Sequence, residues 1–391
     1  MRPVVDFQYL GITREWRCSG TWPGVVDSYR RIMPTIDTLS APGDSARHRR
    51  PAVTPDLPGG SRLHRPLLWM VATMGALVLF SAGGMVFDDR MLLDESVWLK
   101  PFKFGLAFVL YGVTLAWLLS LPHRGSRVTW WMGTVFAITG FVDVGFIVVQ
   151  AARGTYSHFN SETDAVNSIG QMVFASGVPG LFFANLVIVL ILSWQRLVDR
   201  PTARAIHAGL GLAVVGMALG YLMGFTGKQL VRDADGNVVE LVAGHTVLDH
   251  PSLAARDGVG AMPITHWSTI GGDLRIPHFL GLHAIQVLLL AVVALAWLAP
   301  RYPWLRGERT RAALIGVLAS GYAGLLAIVF WQAMRAQSLV HPDGRTLFAF
   351  GALIWVVALL TLAVYWRARA HGRNTPSAVR LFAAGTHARG Q

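Results

Sequence analysis

The chain has 391 residues, 53% of them hydrophobic and 14% charged, with a mean hydropathy of +0.45. Soluble domains carry about 25% charged residues, so this composition excludes an ordinary soluble fold and points to a polytopic membrane protein. The net charge of +12 would suggest nucleic acid in a soluble protein. Here basic loops between apolar segments account for it, and no nucleic-acid partner is expected.

Residues 1–66 are rich in Pro and Arg, as in DSARHRRPAVTPDLPGG, and read as a disordered basic segment without a signal peptide. Met33 is an alternative start, in which case residues 1–32 are not translated. Cys18 is the single cysteine, which excludes an intrachain disulfide and a thiolate metal cluster. Eight apolar stretches then follow, at 67–87, 102–121, 128–151, 169–193, 203–225, 277–298, 312–334 and 347–366. Each can span a core about 30 Å thick, and lengths near 20 residues suit helices, not barrel strands. The predicted fold class is therefore an all-α transmembrane bundle over 67–366, followed by a basic tail at 367–391.

From Arg49 onward, the segments on one side hold 18 Arg and no Lys, while the other side holds 10 Lys or Arg against 13 acids. The positive-inside rule then places both termini in the cytoplasm of a bacterial cell, with the chain in the inner membrane and lipids as its first partners. Trp98, Trp130, Trp131, Trp194, Trp297, Trp331 and Trp366 lie near span ends, as interfacial anchors do. The longest soluble part is the outer loop 227–276. Asp235-Gly236 between two alternating runs predicts a hairpin within it, and its length suggests a lid over the outer face.

Ionisable groups within spans are costly and informative. Asp143 lies roughly 12 Å deep in span three at 1.5 Å per residue, and Gln150 and Arg153 fall near the same helix face. In span six, His283 and Gln286 lie roughly 9 and 13 Å below Pro277 and share a face. Asp143, His283 and Gln286 are thus expected to meet at one depth, with Asp143 buried. His278 and His283 point about 140° apart and cannot serve one small ion from one helix face. Lys103, Gln171, Ser176, Gln332, Arg335 and the RGTYSHFNSETD connection add further polar groups to the same half of the bundle, whereas the other half is bland apart from His207. This asymmetry favours a site open to the outer surface over a path through the membrane. Plainer roles compete with each assignment: Lys103, Arg153 and Arg335 as snorkelling cations, and Asp143 and His283 as polar contacts between helices. Pro277 is expected to begin span six, with Asp273 accepting amide hydrogen bonds from its first turn and pairing with a basic neighbour.

The segments SVWLKPFKF, VQAARGTYSHFN and HWSTIGGDLRIPHFLGLHAIQ resemble a family of uncharacterised multi-pass bacterial membrane proteins over roughly residues 85–365. The resemblance implies the architecture and no activity. It marks Lys103, Arg153, His158, Asn160, Asp273, Arg275, His278 and His283 as matched motif positions.

Three functional readings follow. A cofactor or redox protein would bind haem b or a quinone through His158, His278, His283, Gln286, Lys103 and Arg153, with Arg275 on a propionate or carbonyl. A lipid-directed hydrolase or transferase would use His283 or His278 as base and Asp143 to orient it, or Zn²⁺ bound among His158, His278 or His283 and Asp143 or Asp273. A non-enzymatic sensor or assembly component would bind a small or lipid ligand in the same outer pocket.

Overall fold

The computed structural model describes residues 63–373 apart from 194, 196 and 197. Cys18, Met33, most of the basic N-terminal segment, Trp194, Arg196 and residues 374–391 lie outside them. Eight helices long and apolar enough to cross a membrane make up the bundle, as in a multi-pass membrane protein. They are α1 (Arg65–Phe87), α2 (Leu99–Ser120), α3 (Ser126–Ala152), α4 (Ala165–Ser193), α5 (Arg200–Tyr221), α6 (Arg275–Leu298), α7 (Glu308–Met334) and α8 (Gly344–Arg373). All eight begin two to four residues before the apolar stretch that predicts them, and α8 also runs beyond its end. Hydrogen bonding from residue i to i−4 continues through polar first turns that hydropathy does not count. Pro277 is the third residue of its helix, where its missing N–H costs nothing.

Apolar side chains of six helices interlock around Leu67, Met70, Leu115, Phe136, Val144, Ile188, Leu210 and Ile285. Buried amides and hydroxyls tie the helices across this core. The Tyr111 hydroxyl donates to Asn185 Oδ1 at 2.7 Å, linking α2 to α4. Such bonds within a bundle contribute on average about 0.6 kcal/mol and chiefly fix register. The tightest pairing is between α5 and α6, where Gly216 and Gly281 let the backbones touch: a Cβ on Gly216 would lie 2.5 Å from the Leu282 nitrogen.

Contacts between connections define two ends. At one, Arg124 meets Gln195, Arg200 meets Glu308 and Trp304 packs on Tyr365. At the other, the 88–98, 153–164, 226–274 and 335–343 segments join into a folded cap. Its strands are short and antiparallel: β1 (Met91–Leu92) with β2 (Glu95–Ser96), β3 (Gln229–Arg232) with β4 (Val238–Leu241), and β5 (Thr246–Val247) with β6 (Gly272–Asp273). The predicted hairpin is present. Gly236 adopts φ +85°, and the Asp233 carboxylate accepts from the Asp235 and Asn237 amides. Val231, Val239 and Leu241 alternate inward onto Tyr156, giving the cap a small core of its own. The long loop is thus a folded cap with fixed register, not an irregular covering.

One tryptophan corrects its expected role. Trp98 is buried, fills the notch left by Gly84 and donates from Nε1 to Asp88 at 2.7 Å. Trp130, Trp131, Trp297 and Trp366 are exposed near helix ends, as anchors would be.

Candidate functional site

Two buried ion groups set the geometry beneath the cap. Arg256 donates to the carbonyls of Thr246, Lys228, Thr226 and Gly227, stitching the end of α5 to β3 and β5. Asp257 accepts from the amides of His245 and Thr246, from Gln229 Nε2 at 2.9 Å and from the His245 ring at 3.0 Å. Burial alone would push the Asp257 carboxyl up. The His245 ring, Arg275 and the Gln229 hydrogen bond outweigh it and hold the group well below the usual carboxylate range.

Asp273 performs both tasks expected of it. It accepts from the Arg275 amide at 2.9 Å and takes the guanidinium bidentately, with Nε at 3.0 Å and an Nη at 2.7 Å. Arg275 also donates to the His266 carbonyl. Both members of the pair are therefore occupied in fixing the entry to α6.

Three histidines from three segments are brought within electrostatic reach of one another beside these pairs. His245 gives Nδ1 to Asp257, and His278 gives Nδ1 to the Gly216 carbonyl at 2.7 Å. Carboxylate and carbonyl only accept, so both rings carry a proton on Nδ1. Gly220 makes room for the His278 ring, since a Cβ there would lie 2.9 Å from Cε1. His158 shares a hydrogen bond with Ser157 Oγ at 3.0 Å and lies among Phe104, Phe159 and Phe174, the last with centroids 4.4 Å apart. Burial, then the charges of Lys100, His245 and His278, push the His158 ring well below its ordinary value, so it is neutral at pH 7. Phe159 itself adopts φ +61°, a strained conformation for a non-glycine residue that turns the loop at this point.

Lys100, in the first turn of α2, completes the cluster. Its ammonium makes no hydrogen bond or ion pair among the described residues. Glu95, Lys103, Arg275 and Asp257 all lie within electrostatic reach, two acids against two bases. Glu95 is already engaged by Lys103 at 3.0 Å, with the His266 ring 3.7 Å away. Burial, outweighing Glu95 and reinforced by Lys103 and Arg275, lowers the His266 ring from its ordinary value. Among the described residues the Lys100 ammonium thus has no bonded counter-ion, and the neutral His158 ring lies within its electrostatic reach.

The remaining expected residues have definite places. Lys103, Arg153 and Arg335 are ion-paired, with Glu95, Asp164 and Asp343 respectively. Gln150, Asn160, Asn167 and Gln171 form a hydrogen-bonded network that fixes the 153–164 connection. Asp143 is buried, as expected, but it does not meet His283 and Gln286. It lies against Gly177 of α4, with no donor to either carboxylate oxygen. Gln286 instead donates to Thr114 Oγ1 of α2 at 3.2 Å. Residue counting fixes height and not azimuth, and α3 packs chiefly on α4 whereas α6 packs chiefly on α5. The metal assignment to His158, His278, His283 and Asp273 is also corrected. Among the described residues no group of three or more His, Cys, Asp and Glu side chains is placed to hold a metal ion, and Asp273 is committed to Arg275.

Lys100, Glu95, His245, Arg256, Asp257 and His266 belong to the cluster although sequence reasoning did not select them. Lys100 stood in the WLKPFKF segment beside Lys103, ahead of a proline that marks a first helical turn, and this was a usable signal. Asp257 and His245 carried none, since eleven residues, mostly irregular loop, lie between them. Comparison of the chain with family models, with curated proteins and with solved structures finds no match, so the motif resemblance contributes positions and no activity.

Proposed function

We propose that this chain is a multi-pass protein of a bacterial cytoplasmic membrane, with both termini in the cytoplasm, whose extracytoplasmic cap holds the acidic head of a lipid-like ligand. The orientation rests on the arginine asymmetry: Arg124, Arg127, Arg200, Arg204, Arg301, Arg306, Arg309 and Arg311 all lie at the end opposite the cap. The ligand class rests on Lys100, a surrounded ammonium that no described side chain neutralises. A carboxylate or phosphate satisfies it by a charge-assisted hydrogen bond. The neutral His158 ring supplies an acceptor for a hydroxyl or acid proton of the same head, with the His245 and His278 rings beside it, and Phe104, Phe159 and Phe174 receive the apolar part.

One observation favours a lipid-directed hydrolase or transferase as the second reading. Asp257 orients His245 so that Nε2 is a base directed by a fixed carboxylate. Both readings place the ligand at Lys100. Mass spectrometry of lipids retained by protein purified from its native membrane tests them together. An acidic amphiphile held by the wild type and lost in Lys100→Met is the expected result, and equal retention by both proteins would refute the assignment. Conversion of that ligand to a hydrolysed product, abolished in His245→Gln, would decide for the enzyme.

A further inference from the structure

Asp143 belongs to no part of the cap cluster. It lies in the middle of α3, is 5% exposed, and neither carboxylate oxygen has a hydrogen-bond donor. The facing position on α4 is Gly177. A Cβ there would lie 2.1 Å from Asp143 Oδ1 and 2.8 Å from both Cγ and Oδ2, so only glycine admits the carboxyl to this seat. The neighbouring contacts of the same two helices are also cut to fit. Gly170 takes the Phe146 ring, and Gly180 takes the Thr139 methyl.

An ionised carboxylate is an acceptor only and needs donors. None is present. The helices packed on α3 supply no counter-charge either. α4 has no titratable side chain, and α1 has only Arg65, at its far end. On α2, Lys100 and Lys103 lie in the first turn at the cap, and the Tyr111 hydroxyl is given to Asn185. On α3 itself, Arg127 lies in the first turn. No charged group acts on Asp143 electrostatically. A hard metal cation takes about six oxygens, and this seat offers two from one side chain. The acid form, in contrast, carries no charge and needs no counter-ion in this seat.

We infer that Asp143 is a proton-binding site: its carboxyl is seated at Gly177 as the neutral acid, and loss of that proton loosens α3 from α4. A bare charge at this place would cost several kcal/mol in desolvation, which separation of the helices or entry of water relieves. A group that must be protonated to be buried contributes packing stability at low pH, and that contribution is lost as pH rises through its folded-state titration.

Infrared spectroscopy of the full-length protein in lipid tests this directly, since a protonated carboxyl has a C=O band apart from ionised carboxylates. The wild type is expected to show that band at neutral pH and to lose it at alkaline pH, and Asp143→Asn is expected to lack it throughout. Over about pH 5 to about pH 9 the wild-type melting temperature should fall relative to that of Asp143→Asn. If the asparagine variant does not fold, peptide mapping of wild type treated with a membrane-soluble carbodiimide assigns the band. The acid O–H adds across the carbodiimide, leaving an adduct on Asp143 at neutral pH and none at alkaline pH. Absence of the protonated band in the wild type at neutral pH, or its survival in Asp143→Asn, would overturn the inference.

Discussion

Replacing Lys100 by Met removes the ammonium while keeping an unbranched stem, so packing at the start of α2 is nearly conserved. In the ligand-free protein this should stabilise the fold. The attractions of Glu95 and Asp257 are countered by Lys103 and Arg275, and both acids are already engaged, so the fold does not compensate the desolvation of Lys100. An unsatisfied buried polar group costs about 1–3 kcal/mol and a fully buried charged one more, but the partial exposure of Lys100 keeps the gain to about 1 kcal/mol. That corresponds to a rise of roughly 2–4 °C in melting temperature for a domain of 150–250 residues, and somewhat less for a longer chain. Ligand binding should move the opposite way. Loss of one charge-assisted hydrogen bond, worth about 1.5–3 kcal/mol, weakens affinity about 10- to 150-fold. Thermal unfolding in nanodiscs of phosphatidylcholine alone, then with increasing phosphatidylglycerol or phosphatidic acid, reads both effects. A variant that melts lower than the wild type without acidic lipid, and responds equally to acidic lipid, would show Lys100 to be a structural residue and refute the reasoning.

Further outcomes follow from the same geometry. In a Cys18→Ser background, cysteines at the exposed positions 235 and 249 should react with an impermeant thiol reagent in intact cells, and a cysteine at 124 should not. The opposite pattern would invert the orientation. Asp257→Ala should destabilise the cap by about 3–5 kcal/mol, because it strands two amides, Gln229 and His245 at once. Because Asp257 is held well below the usual carboxylate range, its contribution is complete above about pH 4 and is lost only as pH falls through the depressed folded-state value. Hydrogen exchange of the cap amides should accordingly stay slow at neutral pH and quicken only in strong acid. Gly220→Ala should displace the His278 ring, at a cost of about 1–3 kcal/mol for overpacking, visible as a lower melting temperature and weakened ligand retention.

Hydropathy alone determined the number of helices, because a run of about 20 apolar residues has few alternatives in lipid. The 229–241 hairpin was equally legible, since Asp235-Gly236 needs a positive φ that glycine supplies, and two-residue alternation sets its faces. So was the clasp of Asp273 on Arg275, a contact between residues two apart. What the sequence could not determine was azimuth. Residue counting puts Asp143, His283 and Gln286 at one depth, yet Asp143 faces Gly177 while Gln286 faces Thr114. Which faces meet depends on the order in which helices pack. That order is decided by glycine notches such as those at 177, 216 and 220, whose partners lie far away in sequence. The cap cluster was hidden for the same reason. Lys100, His158, His245, Asp257 and His278 come from four separate segments, and only the closed tertiary structure takes them out of water together, leaving one ammonium without a partner.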